Sequence, residues 1–318
     1  MIPARGDRIL VTGAGGFFGT HALAVLKERY TDVGFTAVSS AEYDLRNSDA
    51  CRRMFDSVRP SIVVHLAAKV GGILANKSYP VEFFNDNILI NTNVFKCAFE
   101  SGVKKLVTAM GGCAYPAKAV SPISEDQMWN GYPQKESGAY SVAKKMVLVQ
   151  SAAYRDQYGF NSVVMIPGNM YGEYDNYSLE NSHVIPAMIR KFWEAKKNGT
   201  TSIPLFGTGN PQRDFVYARD VAETVPFFIE HYDSSEPVNI SSGAATRIRD
   251  LAEIVAAEVG YVGELAWDTS KPDGQMIKIF DVTRMRSAGL CCETSLADGI
   301  HKTVRWFDKS MSTHSVRL

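Results

Sequence analysis

The segment LVTGAGGFFG, at residues 10–19, sets the architecture that we expect for this chain of 318 residues. An apolar β run precedes it at residues 8–11, and a helical pattern follows it over residues 17–29. Its glycines follow the spacing G-x-x-G-x-x-G and are Gly13, Gly16 and Gly19. Glycine at a strand–turn–helix junction allows a sharp turn and lets a pyrophosphate approach the free N–H groups of the helix N-terminus. The segment therefore predicts a dinucleotide-binding loop, with a tight turn that binds no ligand as the alternative.

Strand and helix patterns alternate through the first half of the chain. Apolar β runs lie at residues 34–38, 61–65, 105–108 and 161–166, and helical periodicity covers residues 81–101 and 140–158. This alternation is typical of an α/β fold in which helices cover both faces of a parallel sheet. We therefore expect a Rossmann-type, doubly wound parallel sheet.

The pattern changes after residue 171. A polar stretch at residues 173–182 is followed by predicted helices at 183–197, 218–231, 248–259 and 296–307, and by a strand at 201–206. We expect a cofactor-binding Rossmann domain over residues 1–171 and a smaller substrate-binding lobe over residues 172–318. Short segments near residues 214–240, such as 214–217, are expected to return to the main sheet.

Composition argues against several classes of protein. The 34 basic and 34 acidic residues cancel, whereas nucleic-acid and acidic-membrane binders usually carry a basic face. No apolar stretch reaches the roughly 20 residues that span a bilayer, and no apolar signal-peptide core follows Met1, so we expect a cytoplasmic protein. The 5 cysteines and 6 histidines have neither disulfide-framework nor zinc-site spacing, and we predict no metal.

Tyr140 and Lys144, in YSVAK at residues 140–144, stand one helical turn apart on one face. A free tyrosine, with a pKa near ~10, is a poor acid or base at neutral pH. We expect the Lys144 cation to lower the pKa of Tyr140 towards the working range, and Lys144 to reach the nicotinamide ribose. An ordinary surface pair is the alternative, but the glycine segment upstream favours a catalytic pair.

The end of the second β run, at residues 38–40, bears on the choice of cofactor. An acidic residue there would hold the ribose 2′-hydroxyl and favour NAD. The run ends in Val38-Ser39-Ser40, without an acid and without an obvious arginine. We therefore expect NADP(H).

These motifs resemble the extended short-chain dehydrogenase/reductase family. HLAA at residues 65–68 ends a strand as that family's cofactor segment does, and Asn87, Thr92 and Asn93 match its central-helix pattern. Within the family, the chain most resembles the GDP-L-fucose synthases, which are GDP-4-keto-6-deoxy-D-mannose 3,5-epimerase-4-reductases. The matching segments are AAKVGGI at 67–73, CAYP at 113–116, NSHVIP at 181–186 and KPDG at 271–274.

The resemblance implies NADP(H) as cofactor and a set of residues that bind it. Asp44 and Leu45 are expected beside the adenine ring, and Asn169 in the nicotinamide or sugar pocket. The full expected cofactor set is Gly13, Gly16, Phe17, Gly19, Ser39, Asp44, Leu45, Ala67, Ala68, Tyr140, Lys144, Pro167, Asn169 and His183.

The resemblance also implies a GDP-sugar substrate with a ketone at C4. The ketone acidifies the protons on C3 and C5, and Cys113 and His183 match the residues that act as base and acid in epimerisation. NADPH then reduces C4 while Tyr140 protonates its oxygen. The alternatives are a buried, inert Cys113 and a solvated His183 at a helix start. Expected substrate contacts are Asn169, Val184, Lys191, Phe206, Arg213 and Lys278, the last two at the diphosphate or ribose.

The chain departs from the family at Gly111. The family has a serine there, two residues before the cysteine, whose hydroxyl binds the C4 oxygen. Losing one such donor typically costs about 2.7–4 kcal/mol, or roughly 10²–10³ in rate. A water or substrate hydroxyl could fill the gap, the pocket could suit another sugar such as a GDP-heptose, or epimerisation could outweigh a weakened reduction.

Two further hypotheses concern the activity of the protein. A non-catalytic NADP-binding protein is the alternative outside enzymes. A dehydratase is disfavoured because no acid lies near Gly111 and Cys113. The family also implies a homodimer formed through helices such as 81–101 and 140–158, although burial in the core would equally explain why those helices are apolar on several sides.

Overall fold

The computed structural model describes residues 1–179, 181–313 and 315–318. Its strands are β1 (Arg8–Thr12), β2 (Gly34–Val38), β3 (Ile62–His65), β4 (Lys105–Ala109), β5 (Ser162–Pro167), β6 (Asn169–Tyr171), β7 (Ser202–Phe206), β8 (Gln212–Arg213), β9 (Phe215–Tyr217), β10 (Val238–Ile240), β11 (Thr246–Arg247), β12 (Glu264–Asp268) and β13 (Ile277–Lys278). Six of them form the main sheet in the order β10-β5-β4-β3-β1-β2. All of its pairings are parallel, as the sequence predicts.

The helices cover both faces of this sheet. They are α1 (Phe17–Arg29), α2 (Ser48–Val58), α3 (Ile73–Ser78), α4 (Pro80–Glu100), α5 (Gly138–Tyr158), α6 (Val184–Asn198), α7 (Ala218–Glu230), α8 (Ile248–Val259), α9 (Thr283–Ser287) and α10 (Leu296–Ser312). Within the described ranges, none is both long enough and apolar enough to cross a membrane. The prediction of a doubly wound α/β fold is confirmed.

Alternate residues of the strands feed two separate cores. Leu10 and Val63 join the core formed with α2, α4 and α5, whereas Ile9 and Val64 join the core formed with α1 and α7. A strand that is buried on both faces must be apolar at nearly every position, which is why β1 and β3 read as continuous apolar runs rather than alternating ones. A third core gathers α6, α8 and α10 around Phe192.

The strand order reverses between β1 and β3. In open parallel sheets, ligands bind outside the carboxyl ends of the strands at such a switch point. The glycine segment follows β1, and the HLAA segment ends β3, so both open onto this crevice. The topology therefore brings together the two segments that the sequence assigns to the cofactor.

One strand prediction is wrong in its partner. Of the predicted residues 214–217, Phe215–Tyr217 form the strand β9, but it pairs with β6 outside the main sheet. The reason is that Gly168 N donates to Ile240 O, so that β10 takes the place beside β5 and the chain after Pro167 diverges towards β9. The segment that returns to the main sheet is β10, inside the expected range of 214–240.

Candidate active site

The glycine segment presses against the loop that leaves β3. A Cβ on Gly13, whose φ is +71°, would lie 2.7 Å from Ala67 N, and a Cβ on Gly19 would lie 2.0 Å from Gly13 O. Only glycine permits this approach. Helix α1 starts after Gly16, and no described side chain caps its N–H groups. The free N–H groups and the positive end of the helix dipole make this loop suited to a pyrophosphate.

A buried chain of hydrogen bonds fixes the loop after β3. His65 Nε2 lies 3.1 Å from Asn91 Oδ1, and His65 Nδ1 lies 2.7 Å from Thr12 Oγ1. Thr12 Oγ1 also accepts from Ala67 N at 3.3 Å. Burial, followed by the Lys144 charge, lowers the pKa of His65 to about 3, so the ring is neutral. Thr12, which neutral His65 holds, thereby positions Ala67 beside Gly13.

An acidic side chain reaches the end of β2, although the sequence there contains no acid. The sequence places no acid at residues 38–40, yet the Glu42 carboxylate folds back and accepts from Ser39 N at 3.0 Å and Ser39 Oγ at 2.9 Å. Asp44, predicted beside the adenine, pairs with Arg46 at 2.7 Å. Leu45 is buried in the core of the α2 face. Ser39 and Asp44 are therefore already engaged within the protein.

Tyr140 and Lys144 project from α5 towards the carboxyl end of β4. Phe83 packs edge-on to Tyr140 with ring centroids 6.0 Å apart, and Lys144 Nζ donates to Ala109 O at 2.9 Å. Burial lowers the pKa of Lys144 to about 8. Burial, and then Cys113, raise the pKa of Tyr140 above its usual value, so the expected lowering by Lys144 is not seen. The phenol is therefore protonated at neutral pH and able to donate.

The turn after β4 brings Gly111 and Cys113 to Tyr140. A Cβ on Gly111 would lie 3.2 Å from Cys113 Sγ and 4.0 Å from Tyr140 Oη. A Cβ on Gly112 would lie 2.4 Å from Phe280 Cζ, so this turn needs glycine to pass the phenylalanine ring. Cys113 is partly exposed rather than buried in a core. The position of the missing serine therefore faces both reactive groups.

His183 immediately precedes α6. A Cβ on Gly72 would lie 3.2 Å from Asn181 O, which shows that the AAKVGGI and NSHVIP segments meet. Asn76 Nδ2 holds this meeting point by donating to Gly71 O and Gly72 O. His183 is exposed to solvent, yet the surrounding protein desolvates its imidazole and lowers its pKa below the usual value.

Arg213 and Lys278 are direct neighbours in the register of β8 and β13. Burial lowers the pKa of both. For Lys278, Cys113 opposes this lowering and the charge of Arg213 adds to it. Among the residues that the structure describes, no carboxylate contributes to either shift. Asp214, the adjacent acid, instead accepts from Ser242 Oγ at 2.6 Å and from the backbone. Two crowded cations of this kind are suited to an anionic ligand.

A small cleft of about 120 Å³ adjoins Arg213. Asp273, from the KPDG segment, accepts from Thr208 N at 2.8 Å and from Thr208 Oγ1 at 2.7 Å, which fixes one wall. Phe206 is 71% exposed at its edge, with Lys271 Nζ 6.0 Å from the ring centroid. The residues that line the cleft are Phe206, Gly209, Pro211, Arg213, Ile248, Pro272, Asp273 and Gly274.

The other residues expected to bind cofactor or substrate already bond or pack within the protein to different degrees. Asn169 Nδ2 donates to Asp214 O at 2.8 Å, and Lys191 Nζ donates to Pro204 O at 2.5 Å. Val184 packs against the third core, Phe17 is partly buried at the start of α1, and Pro167 is buried at the end of β5. Their roles in binding stay predictions.

Three residues near the site were missed from the sequence: Phe83, Glu42 and Asp214. Phe83 lies one helical turn before Asn87, so the helical period could have indicated its face. Glu42 and Asp214 act through contacts that only the folded loops create. No periodic pattern in the sequence marks them.

Replacing Gly111 with serine tests whether a missing hydroxyl limits reduction. We expect the rate of reduction to rise by up to about 100-fold, since one oxyanion donor is worth roughly 10²–10³ in rate. Crowding at the 3.2 Å contact with Cys113 Sγ should keep the gain below the full value. Gly111→Ala adds the same Cβ without the hydroxyl and is the matched control. An unchanged or lower rate in Gly111→Ser would contradict the missing-donor explanation.

Comparisons with known proteins agree with this arrangement. The model of the NAD dependent epimerase/dehydratase family matches residues 9–241. GDP-L-fucose synthase 1 of Arabidopsis thaliana is 39% identical over 96% of this chain and 95% of its own length. A GDP-L-fucose synthetase from Naegleria fowleri, solved with NADP bound, has a TM-score of 0.92 at 31% identity and covers 100% of this chain and 98% of its own.

A third similar protein is a GDP-6-OMe-4-keto-L-xylo-heptose reductase from C. jejuni. It has a TM-score of 0.88 at 26% identity and covers 98% of this chain and 100% of its own. The resemblance inferred from the motifs is confirmed. The chain belongs to the NAD dependent epimerase/dehydratase family and, within it, to the GDP-L-fucose synthases.

Proposed function

We propose that this chain is an NADPH-dependent epimerase and reductase of a GDP-4-keto sugar, carrying out 3,5-epimerisation and then C4 reduction. The observation that carries the proposal is that Cys113 and Tyr140 both lie close to Gly111. From that position, Cys113 Sγ and Tyr140 Oη are 3.2 Å and 4.0 Å from the ideal Cβ. An acid for a C4 oxygen and a group able to exchange the proton of a neighbouring carbon are thus within reach of one sugar ring.

The glycine segment fits a dinucleotide. Cβ atoms added at Gly13 and Gly19 would collide with backbone atoms, so this tight turn requires glycine. The N–H groups at the start of α1 have no side-chain cap. Ala67, held by Thr12, forms the facing wall, and Ala68 is proposed to contact the cofactor beside it. When bound, NADPH supplies the hydride that C4 accepts. The solved Naegleria fowleri relative is described as bound to NADP, which supports this choice of cofactor.

Tyr140 is proposed to protonate the C4 oxygen during reduction. Its raised pKa keeps the proton on the phenol until negative charge develops on the substrate. Lys144, bonded to Ala109 O, keeps further N–H donors for the nicotinamide ribose. Its positive charge also favours the phenolate that remains after proton transfer.

Cys113 and His183 are proposed to move the protons on C3 and C5. Cys113 is partly exposed in the turn after β4, next to Tyr140. His183 lies on the separate segment before α6, where desolvation lowers the pKa of its imidazole. Groups carried by two different segments can approach a sugar from different sides, which is what inversion at a carbon requires.

Arg213 and Lys278 are proposed to bind the diphosphate of the GDP moiety. Each has a pKa lowered by burial, and a bound dianion would relieve both the desolvation and their mutual repulsion. The cleft at Phe206 and Pro272 adjoins Arg213 and offers flat apolar contact for a purine base. Asn169, Val184 and Lys191 complete the proposed substrate set.

The direct test incubates the purified chain with NADPH and GDP-4-keto-6-deoxy-D-mannose in heavy water. We expect loss of NADPH absorbance together with deuterium at C3 and C5. Deuterium without NADPH loss would identify an epimerase with a disabled reductase. Neither signal, in a protein that binds NADPH, would refute this substrate and direct attention to other GDP-4-keto sugars.

A GDP-heptose reductase is a second candidate. It is favoured by the glycine at 111, which leaves room beside Tyr140 that a serine would fill, and by the C. jejuni heptose reductase of similar fold. Consumption of NADPH with a GDP-4-keto-heptose but not with the 6-deoxyhexose would favour it.

We also propose that the chain forms a homodimer through α4 and α5. These two helices leave large apolar side chains in contact with solvent, namely Phe84, Leu89, Val149 and Tyr158. Exposed apolar side chains gathered on adjacent helices favour a protein interface. Light scattering of the purified chain would distinguish a dimer from a monomer.

A further inference from the structure

The two loops expected around the cofactor's adenosine have little positive charge to offer. The glycine segment, residues 13–19, contains no basic residue. The loop after β2, residues 39–46, contains only Arg46, which is held by Asp44 at 2.7 Å and Asp86 at 3.2 Å. The acid of Glu42 also occupies Ser39 N and Ser39 Oγ. Any cation that pairs with a phosphate at this end of the crevice must therefore come from another segment.

The segment at residues 315–318 brings such a cation to the glycine loop. Arg317 Nη2 donates to Gly15 O, across 302 positions of sequence. Gly15 is exposed, and a Cβ added to it would meet nothing within 4 Å. The guanidinium therefore lies at the open rim of the loop rather than inside a core.

The backbone of Arg317 is fixed, although its side chain is exposed. Tyr177 N donates to Arg317 O at 2.8 Å, and Arg317 forms a β-bridge with Asn176. The preceding Val316 packs against the third core. A side chain that starts from an anchored backbone loses less freedom on binding than one on a loose tail.

Among the described residues, Gly15 O is the hydrogen-bond acceptor of the Arg317 guanidinium. The bond to Gly15 O uses one N–H, and arginine has several more arranged in a plane that matches phosphate oxygens. The nearby acid Asp175 is buried and accepts from Asn176 N at 2.7 Å. Arg317 is close enough to oppose the rise that burial causes in the pKa of Asp175.

We infer that Arg317 is a ligand for a phosphate group of the bound dinucleotide, reaching from the far end of the chain over the glycine loop. This inference rests on the proposed NADP(H) site. The same chemistry fits the 2′-phosphate of NADPH or the pyrophosphate that NADPH and NADH share. The residue would tie cofactor binding to the C-terminal lobe, because its backbone is anchored there.

Equilibrium binding tests the inference without relying on turnover. NADPH and NADH are titrated by fluorescence against the natural chain, Arg317→Ala and Arg317→Lys, with Arg305→Ala as control. Arg305 is an exposed arginine on α10. We expect Arg317→Ala to weaken NADPH binding about 10- to 100-fold, as loss of hydrogen bonds from a charged group typically does. Lysine should restore part of the affinity, and the control should bind as the natural chain does.

Comparing NADPH with NADH distinguishes a contact to the 2′-phosphate from a contact to the pyrophosphate. A loss confined to NADPH would assign Arg317 to the 2′-phosphate, and an equal loss for NADH would assign it to the pyrophosphate. Unchanged or tighter binding of NADPH by Arg317→Ala would overturn the inference, the latter by showing that the segment obstructs the loop. If the natural chain binds neither dinucleotide, the proposed function fails instead.

Discussion

Tyr140→Phe is expected to slow reduction of the 4-keto sugar by about 10²- to 10⁴-fold, the range in which a positioned general acid contributes. The phenol is the proposed donor to the C4 oxygen, and phenylalanine keeps the ring that packs on Phe83 at 6.0 Å. The fold and the turn at Gly111 should therefore be retained. Single-turnover oxidation of NADPH at saturating substrate measures the chemical step.

Exchange at carbon provides an internal control for this variant. Because epimerisation is assigned to Cys113 and His183, Tyr140→Phe should still incorporate deuterium at C3 and C5 in heavy water. Tyr232→Phe, outside the site, removes a hydroxyl that donates to Glu236 O at 2.7 Å and should reduce the sugar at the natural rate. Reduction by Tyr140→Phe within threefold of the natural rate would exclude the phenol as the acid.

Cys113→Ala is expected to abolish most epimerisation, with deuterium incorporation lowered by about 10²- to 10⁴-fold because a proton-transfer group is removed. Reduction of the unepimerised ketone should continue, since Tyr140 and Lys144 are unchanged. The product should then have the configuration of the substrate at C3 and C5, which proton NMR of the sugar distinguishes.

Two further variants make the test specific. Cys291→Ala removes an exposed cysteine that bonds Glu293 at 3.2 Å and should leave exchange unchanged. His183→Gln should lower exchange at one or both carbons, which would show which proton each group moves. Natural exchange rates in both Cys113→Ala and His183→Gln would refute the assignment of epimerisation to this pair.

The main sheet was predictable because its signal is local. Each buried strand is a short apolar run, and each helix between strands follows a 3.6-residue period. The glycine spacing marks the tight turn that joins β1 to α1. Predicted helices such as Ile248–Val259 match the structure, and α1 begins and ends as expected. The partner of β9 was not predictable, because a short strand pairs according to which sheet edge is free.

In the candidate site, too, some features were predictable from local sequence and others were not. Tyr140 and Lys144 share a helix face, so their spacing alone predicts that they lie together. The proximity of Cys113, Gly111 and Tyr140 was inferred from family motifs, whereas the distances of 3.2 Å and 4.0 Å come from the turn after β4. The pKa of Tyr140 is raised rather than lowered because of burial, a property of the packed cleft that the sequence pattern does not show.

The amino-acid sequence alone established the alternating fold, the glycine loop and the family, since each depends on residues close together along the chain or on motifs held in order. The tertiary structure alone decided how distant segments meet. It paired the cations Arg213 and Lys278, turned Glu42 onto Ser39, and carried Arg317 to Gly15. Contacts between segments separated by tens to hundreds of residues depend on packing and burial, and no local pattern encodes them.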